Sequence, residues 1–97
     1  MMKILSIIVT YNGMRWIDRC IKSVLDSSIS TDIYVIDNFS TDNTVEHIKK
    51  MYHRVMVYET NENLGFGKAN NIGLKYALDN SYDYVYLLNQ DAWIEQD

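Results

Sequence analysis

A chain of 97 residues with 47% hydrophobic and 23% charged side chains fits one small globular domain. Its net charge of −4, without a run of one sign, excludes the basic face of a nucleic-acid binder. The lack of proline argues against a disordered chain, and the single cysteine, Cys20, excludes an internal disulfide or a cysteine-based zinc site.

The first predicted element is a strand, the nearly unbroken apolar run Ile4-Leu5-Ser6-Ile7-Ile8-Val9, which ends on Thr10-Tyr11-Asn12. Ile17, Cys20, Ile21, Val24 and Leu25 then recur at helical spacing and predict one apolar helix face, on which Cys20 is core. A second strand, Ile33-Tyr34-Val35-Ile36, ends on Asp37-Asn38-Phe39-Ser40. The cluster Ser40-Thr41-Asp42-Asn43 supplies N-cap residues for a helix with the stripe Val45, Ile48 and Tyr52. A third strand, Val55-Met56-Val57-Tyr58, leads through Asn61-Glu62-Asn63-Leu64-Gly65 to a helix striped by Ala69, Ile72, Gly73, Tyr76 and Ala77. The last strand, Tyr84-Val85-Tyr86-Leu87-Leu88, delivers Asn89-Gln90-Asp91. Apolar strands of this kind are expected to be buried on both faces, and strands alternating with helices make an open α/β sheet.

Such sheets bind ligands beyond the carboxyl ends of their strands. All four ends carry short polar side chains here, whereas Lys3, Asp32, Arg54 and Asp83 at the other edge read as solvated flanks. Asn89 and Asp91 are oxygen donors that suit a hard divalent cation, Mg²⁺ or Mn²⁺, or else they cap a turn. Asp37 and Asn38 offer an acceptor and a donor to a base or ribose, or cap the following loop. Gly65 and Gly67 permit close backbone approach, and Lys68 at a helix start suits a phosphate; the bland alternative is a softened helix entry with a solvated lysine. Asn70 and Asn71 are poor helix formers, so something other than propensity keeps them there. His47 and His53 read as surface residues. Trp16 and Trp93 line a pocket or pack.

On these residues the chain resembles the inverting family 2 glycosyltransferases. The matching stretches are Ile7 to Asn12, Val35 to Thr44, Asn63 to Gly73 and Leu87 to Ala92, in the family's order and over nearly the whole chain. Each is a weak signal alone; together, each at a strand end, they are specific. The resemblance implies a GT-A fold: an open, mainly parallel Rossmann-like sheet in the order 3-2-1-4 with helices on both faces. It implies that Thr10, Tyr11 and Asn12 hold the nucleotide, that Asp37 and Asn38 meet the base, and that the stretch with Asn63, Gly65, Gly67, Lys68, Asn70 and Asn71 lies beside the ribose and diphosphate. Asn89-Gln90-Asp91 stands where the family has Asp-x-Asp, with Asp91 and Asn89 toward a divalent metal and Gln90 toward the donor.

The same resemblance implies a nucleoside-diphosphate sugar donor, UDP- or dTDP-linked as in rhamnosyltransferase-like members, and a saccharide or lipid-linked acceptor. Asn89 in place of an aspartate weakens the metal site, and Asn38 in place of a second aspartate alters base recognition. Residues 1–97 are expected to be the nucleotide-sugar-binding portion of a longer domain whose acceptor half, with the catalytic base, lies outside this chain. A cytoplasmic location is expected, or a peripheral one at the inner membrane face in a longer protein. The fourth strand would then be a bare edge, open to self-association. A dinucleotide-binding oxidoreductase would need Gly-x-Gly-x-x-Gly after the first strand, where Thr10 to Arg15 has one glycine. A non-catalytic α/β interaction domain would leave four polar strand ends unexplained.

Overall fold

The structure, a computed structural model, describes residues 2–91, so Trp93 and Ala92 lie outside the described residues. Chain order is β1 (Ile4–Thr10), α1 (Ile17–Leu25), β2 (Asp32–Asp37), α2 (Thr44–Met51), β3 (Met56–Glu59), α3 (Gly65–Asp79) and β4 (Tyr84–Asn89). The four strands are parallel and lie in the order β3-β2-β1-β4. This is the expected open α/β sheet.

Alternation along β1 divides the core into two layers. Ile8 faces α1 and α2, packing with Ile17, Cys20, Ile21, Val24, Ile33, Val35 and Ile48. Leu5, Ile7 and Val9 face α3, packing with Ile36, Ala69 and Ala77. Burial of each Leu, Ile or Val contributes about 1.5–3 kcal/mol. Helix α3 comes unusually near: a Cβ on Gly73 would lie 2.7 Å from Ile7, so only glycine lets the helix seat at this distance.

The strands differ in burial more than their apolar runs suggest. All of β1 is buried, but Tyr84 to Leu87 of β4 are exposed and β3 is only half-buried. The reason is position. Strand β4 has β1 on one side and nothing described on the other, and α3 covers only part of it. Leu25, expected on the core face of α1, is also exposed.

The flanks at the amino ends of the strands are not simply solvated. Lys3 donates its backbone N–H to Asp83 at 2.7 Å and its Nζ to the Asn80 carbonyl at 2.6 Å, and lies 4.4 Å from the Tyr82 ring centre. The Tyr82 hydroxyl donates to Asp32 at 2.5 Å. Arg54 is exposed.

His47 also departs from the surface residue expected. Its Nε2 lies 2.7 Å from Asp18 Oδ1, which accepts the Tyr52 hydroxyl at 2.6 Å, so one carboxylate ties α1 to α2. Burial alone would raise the Asp18 carboxyl; hydrogen bonds from Tyr52 and His47, with the charges of His47 and Lys22, overcome it and hold it below the usual carboxylate range. A depressed carboxyl stabilises the fold above its unfolded pKa and loses that contribution as pH falls through the folded value. Asp18 is 42% exposed, which limits the effect. Asp18→Ala is therefore expected to cost about 0.5–1.5 kcal/mol near neutral pH. The gap from the unaltered chain should narrow as the pH is lowered from neutral to about 2, past the unfolded value and toward the lowered folded one. Thermal unfolding at the two pH values measures it, and a gap independent of pH contradicts this account.

Candidate functional site

Parallel register brings the strand ends to one rim. Thr10 pairs with Asp37, Val9 with Asn89, and Asp37 with Glu59. The segments Thr10 to Gly13, Asp37 to Asp42, Thr60 to Gly65 and Asn89 to Asp91 therefore leave the sheet at the same edge.

Many polar side chains there are engaged with the neighbouring loop. Asn12, in the left-handed region at φ 48°, donates its backbone N–H to Ser40 Oγ at 2.8 Å. Its Oδ1 accepts the N–H groups of Thr41 at 2.7 Å and Asp42 at 3.2 Å. Gly13 N–H donates to Thr44 Oγ1 at 2.9 Å, and Thr44 Oγ1 donates in turn to Asp42. Asp37 is 3% exposed, and its two oxygens accept the Ser40 hydroxyl at 2.5 Å and the Ser40 N–H at 3.0 Å. Asn38 is equally buried. Its Nδ2 donates to Asn63 Oδ1 at 2.9 Å, and its Oδ1 accepts Leu64 N–H at 2.7 Å. Asp37 and Asn38, expected to face a base, thus also fasten the β2 exit to its own loop and to the entry of α3.

Helix α3 begins at Gly65, so Gly65, Gly67 and Lys68 belong to its first turn rather than to a preceding loop. Gly65 has φ 80° and takes up the left-handed turn; a Cβ at Gly65 or at Gly67 would have no heavy atom within 4 Å. Gly65 N–H donates to Asn63 Oδ1 at 3.0 Å. The first turn holds no acidic residue, and Lys68 is exposed on it, so this end is electrostatically open to an anion. Asn71 is exposed, whereas Asn70 carries a buried Oδ1 without a hydrogen-bond partner.

Across the rim, Gln90 is half-buried and its Oε1 accepts Thr10 Oγ1 at 2.6 Å and Tyr11 N–H at 2.7 Å. Asn89 and Asp91 are exposed. The Cys20 thiol donates to the Asn89 carbonyl at 3.6 Å; burial, and then the charge of Asp91, push it up to about 11. No group of three His, Cys, Asp or Glu suited to a metal ion occurs among the described residues. One carboxylate and one amide fit a cation that arrives with a diphosphate and completes its shell from phosphate oxygens and water, not one held by the protein alone.

The sequence reading missed Ser40 and Thr44 as rim braces, because Ser40 to Asn43 also matches a helix cap. In the structure Asn43 makes no side-chain cap bond, and Asp42 accepts Thr44 N–H at 3.0 Å instead. It also missed Gly13, where a Cβ would collide with Thr10 Oγ1 and lie 2.5 Å from Gln90 Oε1. The exposed Phe39, at φ 73°, carries no sequence signal of its strained backbone. Two concavities lie away from the rim, one beside Val24 and Arg54 and one between α3 and β4, and neither carries the polar set. Gly13→Ala is expected to lose about 1–3 kcal/mol through the clash and the displaced hydrogen bonds. Gly67→Ala, with open space around it, is expected to gain about 0.5–1 kcal/mol. Denaturant midpoints of the two variants test the pair, and equal shifts contradict it.

The model of glycosyl transferase family 2 matches residues 6–97. The chain is 34% identical over 99 residues to the glycosyltransferase GlyA of Streptococcus pneumoniae serotype 4, covering 98% of this chain and 14% of that protein. It is 33% identical over 94 residues to poly-β-1,6-N-acetyl-D-glucosamine synthase of Staphylococcus aureus, covering 94% of this chain and 22% of that protein. The crystal structure of S. aureus TarS 1-349 in complex with UDP-GlcNAc matches with a TM-score of 0.85 at 27% identity, over 97% of this chain and 28% of that one. The mannosyltransferase PcManGT from Pyrobaculum calidifontis, in complex with GDP-Man and Mn2+, matches in fold with a TM-score of 0.76 at 21% identity, over 94% of this chain and 28% of that one. The chain thus spans less than a third of each of these proteins. Its parallel sheet in the order 3-2-1-4 is the GT-A, Rossmann-like arrangement. With residues 6–97 matched to the family model, the chain belongs to glycosyl transferase family 2.

Proposed function

We propose that this chain is the donor-holding portion of a glycosyltransferase that moves a sugar from a UDP- or dTDP-sugar to an acceptor hydroxyl with inversion, in the synthesis of a cell-surface polysaccharide or glycan. The observation that carries the reading is the convergence of four polar strand ends on one rim, in a chain of this family. TarS, in complex with UDP-GlcNAc, supports a nucleotide-sugar donor.

In this reading the loop Thr10-Tyr11-Asn12 and the Asp37-Asn38 exit hold the nucleoside. The exposed Lys68 and the open first turn of α3 meet the diphosphate, with Asn63, Asn70 and Asn71 beside it. Asp91, with Asn89, would hold Mg²⁺ or Mn²⁺, which would supply positive charge against the charge growing on the departing diphosphate. Attack by the acceptor hydroxyl on the anomeric carbon needs a general base on the acceptor side. We assign that base, and the saccharide or lipid-linked acceptor, to parts of a longer enzyme outside this chain. No helix among the described residues is long and apolar enough to cross a membrane. The reading assigns the domain to the cytoplasm or the inner membrane face. Self-association through the exposed edge of β4 belongs to it as well.

Calorimetric titration with UDP, dTDP and NADH, with and without Mn²⁺, tests the proposal. UDP or dTDP should bind, more tightly with Mn²⁺, and NADH should not; Asp91→Ala should remove the Mn²⁺ effect. Binding of NADH alone, or silence throughout, overturns the donor-holding reading.

A further inference from the structure

Gln90 occupies the middle of Asn89-Gln90-Asp91, between the two residues assigned to the metal. Its side chain turns toward the neighbouring strand's exit. One oxygen, Oε1, takes both the Thr10 hydroxyl at 2.6 Å and the Tyr11 backbone N–H at 2.7 Å. A second observation supports a built contact: Gly13 leaves open the space against Thr10 Oγ1 and Gln90 Oε1 that any other side chain would enter. A third is the Cys20 thiol on the Asn89 carbonyl, which holds the preceding residue to α1. The end of β4 is therefore fastened to β1 and α1 immediately before Asp91.

We propose that Gln90 is a positioning residue that couples Asp91 to the Thr10-Tyr11-Asn12 loop, so that a divalent cation at one and a nucleotide at the other bind cooperatively. The inference rests on the donor site proposed above. Its physical content is that two donors on adjacent residues converge on a single acceptor, which a side chain of this reach alone supplies. A glutamate keeps the reach and the acceptor. A methionine keeps the length but has no carbonyl oxygen. An asparagine has the oxygen but is one methylene short.

The test compares Gln90→Met and Gln90→Glu with the unaltered chain by amide hydrogen exchange and by calorimetry with UDP, with and without Mn²⁺. Gln90→Met should speed exchange at the Tyr11 amide about tenfold and reduce the Mn²⁺-dependent gain in UDP affinity by about tenfold, the scale of one lost hydrogen bond. Gln90→Glu should keep Tyr11 protected and keep most of the gain. If Gln90→Met does not fold, Gln90→Asn carries the same expectation. Unchanged Tyr11 exchange in the short or carbonyl-free variant overturns the proposal, as does a Mn²⁺-dependent gain that survives in it. If the unaltered chain binds no UDP under either condition, the donor-site reading fails and takes the coupling with it. UDP binding by the unaltered chain with the gain intact in Gln90→Met overturns the coupling alone.

Discussion

Thr10, Asp37 and Asn38 are buried polar side chains placed where the parallel strands end, and each needs a partner there. An unsatisfied buried polar group costs about 1–3 kcal/mol, so three of them would consume much of a small domain's stability. The chain meets this constraint by reaching across. Thr10 takes its partner from the β4 exit, Asp37 from its own loop, and Asn38 from the entry of α3. The four strand exits become one hydrogen-bonded chain of loops, from the β4 exit through β1 and β2 to the entry of α3. Those contacts hold the starts of α2 and α3, through Gly13 on Thr44 and Leu64 on Asn38.

This arrangement gives the rim's side chains two kinds of work. Asp37, Asn38, Asn12 and Gln90 are largely spent on internal bonds. Lys68, Asn71, Asn89 and Asp91 are exposed, and Asn70 has a buried oxygen with no partner. The internally bonded set shapes the surface, while the second set has capacity left for a ligand. In the proposed reading a sugar nucleotide would meet loops already hydrogen-bonded to one another, which lowers the entropy lost on association.

Most of the fold was legible because β1 and β2 are continuous apolar runs and the helix stripes sit between them. The polar ends were legible because each closes such a run. The burial of β4 was not, since an apolar run does not reveal whether its neighbours are present. Nor were the internal roles of Asn38, Ser40 and Gln90. A short polar residue looks the same in sequence whether it faces a ligand or ties two loops 25 or 79 positions apart. His47 gave no sign of its carboxylate because Asp18 lies 29 residues away on another helix. Phe39 is the reverse case, where an ordinary aromatic letter conceals a backbone angle that favours glycine.

Asn12 followed by Gly13 is the dipeptide type most open to chemical ageing, in which the glycine nitrogen attacks the asparagine side chain and expels ammonia. Here that nitrogen donates its hydrogen to Thr44, and the amide oxygen of Asn12 is held by the backbone of Thr41 and Asp42. The ring closure would have to break these contacts first, so the folded molecule shields a bond that its unfolded form leaves open to attack. The lifetime of the rim as a chemical entity is therefore tied to how rarely its loops come apart.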